Sequence, residues 1–321
     1  MDPEVVAAIP PLVADGILPA AAAPRLLRIA RGELVSVRRE LRGLLYLGVL
    51  MATAGVGLMV QQNLDRIGPV AIACALGLAA AAALGWVARV APPFAWSEVQ
   101  APNLAFDYIL LLGVLLGASE LAYCEAEFGL LGSHRALHLL IVAVLAGWAA
   151  VRFDSRIVLS LALSTFAAWR GVSLAHGGLE IGGASGALRW NVLGCGVLFV
   201  ALGRILKRTG RKPHFEPVAM HLGCLLLLGG LASGLFEADG AWVPWTLALL
   251  GAGAALAVAA YLARRFSLFA YGVLAVYAAL SCLVLRTPGL QSLGCLWFPG
   301  SATLMIVVLI LAQHQMRRKT P

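Results

Sequence analysis

From Leu44 to Val60 the chain carries no charged residue, and a run of this kind leaves few folds open. With its flanks it reaches the roughly 20 predominantly apolar residues that a helix needs to cross a bilayer. A backbone in lipid must close its hydrogen bonds within its own segment, which selects helix. The approach to the run is basic: Arg25, Arg28, Arg31, Arg38, Arg39 and Arg42. Lys and Arg that flank a span stay on the cytoplasmic side, so the first crossing is expected to start inside.

The same alternation recurs along the chain. It predicts an all-α, polytopic transmembrane helix bundle of about ten spans, at 41–60, 68–90, 104–121, 137–151, 157–174, 188–206, 217–235, 243–262, 266–285 and 295–311. The fourth is short, and the tenth carries Pro299 and Gly300 near its start, which would suit a part lying along the interface. Only 12% of the residues are charged and 61% are hydrophobic, against about 25% charged in a soluble domain. A soluble core is thereby excluded. The formal charge of +8 sits in short clusters between apolar runs. That is the footprint of topology and anionic lipid headgroups, not of a nucleic-acid-binding face.

Residues 1–40 read as a cytoplasmic amphipathic helical lead-in and 41–321 as the transmembrane bundle. In the lead-in, Leu26, Leu27 and Ile29 interleave with Arg25, Arg28 and Arg31. Such a segment suits an interfacial helix on anionic lipid, or equally a short element packed under the bundle. Asp2, Glu4 and Asp15 precede the first Arg, and Pro10 and Pro11 interrupt the apolar stretch. A cleavable signal peptide has the opposite order.

Charge bias sets the expected orientation. With the start inside, all but Arg66, Arg135, Arg170, Arg189 and Arg286 of the 24 Lys and Arg fall in cytoplasmic segments. Both termini are then cytoplasmic. Trp190, Trp242, Trp245 and Trp297 fall near outer ends, as an interfacial belt would. Gly251 and Gly253 adjoin an Ala-rich stretch that favours close helix contacts. The six cysteines show no C-x-x-C pairing, so neither a zinc nor a redox motif is present. Cys124 and Cys295 fall in or near outer loops, where a bridge is compatible with their placement.

The middles of the spans carry almost no ionisable residue. Ion-coupled carriers keep such groups at mid-depth because a charge there is costly and retained only for function. Asp107 and His221 come nearest, each about one turn into a span, and read as helix-start polar residues. Polar groups gather instead at the outer ends. Asn63 and Asp65 follow the first span, Glu120 closes the third, His138 opens the fourth and Arg170 nears the end of the fifth. These five form a candidate ligand mouth for a headgroup, a cation or a small solute; the competing reading is an ordinary solvated set of loops. Glu120 and His138 flank one short connection and would lie at similar depth. His134 and His138, spaced i, i+4, with Glu125 or Glu127 as a third donor, have a metal-ligand spacing, but the chain has one such pair and no cofactor is expected. No G-x-S-x-G, P-loop or H-E-x-x-H motif occurs, so an enzyme ranks last.

The lead-in Leu12-Val13-Ala14-Asp15-Gly16-Ile17-Leu18, the Ala-rich 20–31 segment and the close of the first span, Gln61-Gln62-Asn63-Leu64-Asp65-Arg66-Ile67, resemble a bacterial group of predicted integral membrane proteins, domain of unknown function twenty-one fifty-seven. The run from Leu112-Gly113 through Gly117-Ala118, then Arg152 to Arg156, is also similar. Leu64 stands where that family usually has Trp, and Glu125 and Glu127 where it often has Gln and Tyr. The resemblance covers about the first half. It implies a multi-pass protein of the bacterial inner membrane and supplies no activity.

Two classes therefore compete. One is a protein that binds or transports a small solute or a lipid headgroup at the outward mouth. The other is a structural or accessory subunit of a membrane complex, with a membrane-protein partner and no ligand site. Transport would need a cavity to mid-depth lined by Ser160, Ser164, Thr165 or Tyr271.

Overall fold

The computed structural model describes residues 3–16, 19, 22–30, 38–131, 136–176, 184–237, 241–289 and 294–318. Among them helix is the only regular structure. The chain divides into two units, Met1–Gly68 and Pro69–Pro321. The first holds α1 (Pro3–Ala14), α2 (Ala23–Ala30) and α3 (Arg38–Ile67). Gly16, at φ +70°, closes the turn after α1, a conformation open to glycine without a Cβ penalty. Within α3 the segment Gly43–Met59 is continuously apolar.

The second unit holds α4 (Pro69–Val90), α5 (Leu104–Phe128), α6 (Leu137–Phe153), α7 (Arg156–His176), α8 (Ala184–Thr209), α9 (Glu216–Ser233), α10 (Trp242–Leu262), α11 (Phe266–Arg286) and α12 (Gly294–Arg318). Short 3₁₀ turns, Pro213–Phe215 and Gly234–Phe236, flank α9. Seven helical segments among the described residues, from α4, α5 and α8 to α12, are long and apolar enough to cross a membrane. This is the architecture of a multi-pass membrane protein. α12 runs through Pro299 as one helix.

Consecutive helices pair antiparallel as α4–α5, α6–α7, α8–α9 and α10–α11. Two of these hairpins close on paired glycines. A Cβ on Gly272 of α11 would lie 2.6 Å from both the Ala257 amide nitrogen and the Gly253 carbonyl oxygen of α10. A Cβ on Gly223 of α9 would lie 2.8 Å from the backbone nitrogen of Val200 on α8, and Gly196 faces Leu227 in the same way. Between helices in lipid there is little hydrophobic drive, so this backbone approach and its dispersion contacts carry the association. Gly251, by contrast, faces open space. A cluster of Met220, Cys224, Ala260, Leu268, Phe269, Ala312 and Met316 ties α9 to α10, α11 and α12.

The connections 91–103, 154–155, 210–215 and 263–265 share one end of this unit. Arg89, Arg152, Arg156, Arg204, Lys207, Arg208, Arg211, Lys212, Arg264 and Arg265 lie in or beside them, and we call it the basic end. At the opposite end Trp190 packs edge-on to Trp245, and Arg189 and Arg286 sit over Trp245 and Trp242.

The glycine contacts give a paired prediction. Gly272→Ala forces two backbones apart and should lose about 1–3 kcal/mol. Gly251→Ala should be neutral or gain up to about 1 kcal/mol. Thermal denaturation of the purified protein in detergent separates the two; equal Tm values would contradict the packing.

Candidate functional site

α4, α5 and α6 surround a cavity of about 760 Å³. It exists because the α4–α5 hairpin packs only lightly against α6, while the helices facing it carry small residues: Gly77, Ala80 and Ala81 on α4, Gly113, Gly117 and Ala118 on α5, Ala146 and Ala149 on α6. Larger apolar groups, among them Leu84, Ile141, Leu145, Trp148 and Phe153, complete the wall. Glu120 is the one charged residue in the lining. It is half-buried and forms no hydrogen bond or ion pair among the described residues. Its carboxylate rests against the backbone of α4 at Gly77, where a Cβ would stand 2.5 Å from Oε1.

Glu120 does not close its helix. α5 continues two turns to Phe128 and stops at Gly129, which takes φ +59° and returns its amide to the Glu125 carbonyl. The reason is local: nothing from Leu121 to Phe128 breaks a helix, glutamate favours it, and the first glycine supplies the left-handed C-cap. Glu120 is thereby set eight residues, about 12 Å, inside the helix end.

The other candidates go to different places. Glu125 is buried and its Oε2 accepts from the Leu131 amide at 2.8 Å, so it braces the loop after its own helix. No group of three His, Cys, Asp or Glu suited to a metal occurs among the described residues; His134 lies outside them. His138 is half-buried in the first turn of α6 and does not line the cavity. Arg170 on α7 donates from Nε to Asn191 Oδ1 on α8 at 3.0 Å. Asn63 and Asp65 belong to α3, in the other unit, and their side chains lie outside the description. Cys124 is a free thiol, and the side chain of Cys295 is likewise not described. Ser160 and Ser164 return their hydroxyls to carbonyls of their own helix. None of Ser160, Ser164, Thr165 and Tyr271 lines the large cavity. His221 has Nδ1 at 2.6 Å from the Pro217 carbonyl and Nε2 at 2.8 Å from Ser267 Oγ. A carbonyl only accepts, so Nδ1 donates to Pro217.

Sequence reasoning passed over the basic end. Asp154 and Ser155 alone join α6 to α7, and Asp154 takes φ +61°. Its carboxylate receives the Val99 amide at 2.5 Å on Oδ2, while Oδ1 lies 3.1 Å from Lys212 Nζ and 2.5 Å from His214 Nε2. The side chains of Asp154 and Lys212 are 4% and 2% exposed. Lys212, also left-handed at φ +48°, gives its amide to the Trp96 carbonyl and sits over the Phe94 ring. Beside this knot Arg156 pairs with Glu98, and Arg265 grips Glu216 with both guanidinium nitrogens at 2.5 and 2.9 Å. The signal that could have found the knot is an acid in a two-residue turn, where a C-cap normally takes glycine.

No family model, curated protein or solved structure matches the chain. The fold and its groove thus define a class, a multi-pass helical membrane protein, without placing it in a family.

Asp154→Asn keeps the shape and leaves Lys212 buried without its counter-charge. We expect a loss of about 3–5 kcal/mol, with much of it recovered in Asp154→Asn/Lys212→Met. Unfolding in mixed micelles measures both; a recovered stability no better than that of the single variant would contradict the assignment.

Proposed function

We propose that this chain is a ten-span protein of the bacterial inner membrane, with both ends of the sequence cytoplasmic, that binds an amphiphile in the α4–α5–α6 groove. Supporting the span count, α3, α6 and α7 occupy the three remaining apolar stretches, two of which, Gly43–Met59 and Leu137–Phe153, are shorter apolar helices. Supporting the orientation, cations crowd one end of the second unit, which the positive-inside rule assigns to the cytoplasm. The resemblance of the first half to domain of unknown function twenty-one fifty-seven agrees with this setting.

One observation carries the binding reading: a cavity of about 760 Å³ with a single carboxylate in an otherwise almost wholly apolar wall. Its size falls in the usual range of ligand sites, about 300–1,000 Å³. A carboxylate facing apolar surroundings is costly unless a cation or hydrogen-bond donor meets it, and an ionisable group at membrane depth marks function by default. The complementary ligand has an apolar tail for Ala80 to Phe153 and a cationic or hydrogen-bond-donating head, such as a primary amine, at Glu120. The head then sits toward the end opposite the cations, the outward face.

Two measurements test this. A cytoplasm-dependent fluorescent reporter fused at either end of the sequence should light at both; darkness at one end contradicts an even span count. Lipids co-purifying with the chain should include an amine-headed species such as phosphatidylethanolamine. Ala118→Phe, which fills the groove, should cut its recovery about tenfold, a cost near 1.4 kcal/mol. Glu120→Gln should lower the share of amine heads while sparing neutral-headed lipid. An unchanged lipid profile in both folded variants contradicts binding and favours the accessory-subunit class.

A further inference from the structure

We propose a second site, at the basic end between α8, α9, α10 and α11, that holds the phosphate group of an anion. A cleft of about 110 Å³ opens there. Arg204 and Lys207, one turn apart on α8, stand at its rim, both exposed. Arg265, the residue before α11, supplies a third cation. Its guanidinium is held in one plane by Glu216, whose side chain is 6% exposed and whose two oxygens are both taken by Arg265. Glu216 therefore balances Arg265 and positions it, and the cleft keeps a net excess of two positive charges from Arg204 and Lys207.

The floor is apolar. Met220, Ala260 and Leu268 belong to the core cluster joining α9 to α12. A cleft with cations at the helix ends and apolar side chains beneath them is the arrangement in which basic pockets between transmembrane helices take phosphorylated lipid heads. The cleft has room for a phosphate group. Lys207 lies two residues and Arg204 five residues from the end of α8, within about 8 Å of the helix terminus at 1.5 Å per residue, the level of lipid phosphates. The shared chemistry is a phosphate ester or free phosphate. The apolar floor argues for an ester that carries acyl chains.

Native mass spectrometry of the full chain in detergent tests the site, with phosphatidylglycerol as one probe and inorganic phosphate as the other. We expect a saturable phosphatidylglycerol adduct. Arg204→Gln/Lys207→Gln should weaken it about tenfold or more, and Arg204→Lys/Lys207→Arg should restore it to within about threefold. Both side chains are exposed, so folding should survive; a wild-type melting curve without lipid checks this. Displacement of the adduct by inorganic phosphate would support the site and identify a soluble phosphate as its ligand. A lipid adduct unmoved by phosphate supports the lipid source. Undiminished phosphatidylglycerol binding in the folded double Gln variant overturns the proposal. Ala118→Phe should leave this adduct intact, which keeps the result separate from the α4–α5–α6 groove.

Discussion

A single buried anion, the carboxylate of Asp154, joins three connections that are distant in sequence. The amide of Val99 reaches it from the α4–α5 connection, and Lys212 and His214 reach it from the α8–α9 connection. Neither charge would be tolerable alone at such burial. Both Asp154 and Lys212 hold left-handed backbones that cost roughly 1–2 kcal/mol each, and the ion pair offsets that cost only when all the connections are in place. Glu216–Arg265, with Glu216 buried, links the start of α9 to the connection before α11, while Glu98–Arg156 is an exposed pair that adds little.

That closure determines where the second unit is open. The α8–α9 and α10–α11 hairpins close on glycine pairs, backbone against backbone. The α4–α5 hairpin joins the basic-end knot through its connection but meets α6 lightly along the helices, where small residues on all three helices leave space unfilled. A void of this size lined by alkyl groups forfeits its dispersion contacts unless something occupies it. Glu120, set against Gly77, is the one charged group in its wall.

Much of the helical layout was legible in the sequence, because bilayer crossing imposes an apolar length that uncharged runs satisfy visibly. Helix ends were less so. The expected third span stops at Leu121 because hydropathy falls there, whereas the helix ends only where Gly129 permits a left-handed cap. That difference moves Glu120 from a loop edge into a groove wall. Of the five expected mouth residues, Glu120 lines the cavity, Arg170 on α7 bonds Asn191 on α8, and His138 stands at the start of α6. Among these three, Glu120 alone lines the cavity, since periodicity reports depth and not azimuth. The basic-end knot was illegible for the opposite reason. Its cations were already explained by topology, and nothing local marks Lys212 as a buried partner of a residue 58 positions away.

The most direct measurement is a cryo-EM structure of the protein in nanodiscs made from its native lipids, inspected in the groove between α4, α5 and α6. Elongated density along Ala80 to Phe153, with its head within hydrogen-bond distance of the Glu120 carboxylate, is the expected result. A groove closed by α6 moving onto α5, with Glu120 paired to a protein cation, would contradict ligand binding there.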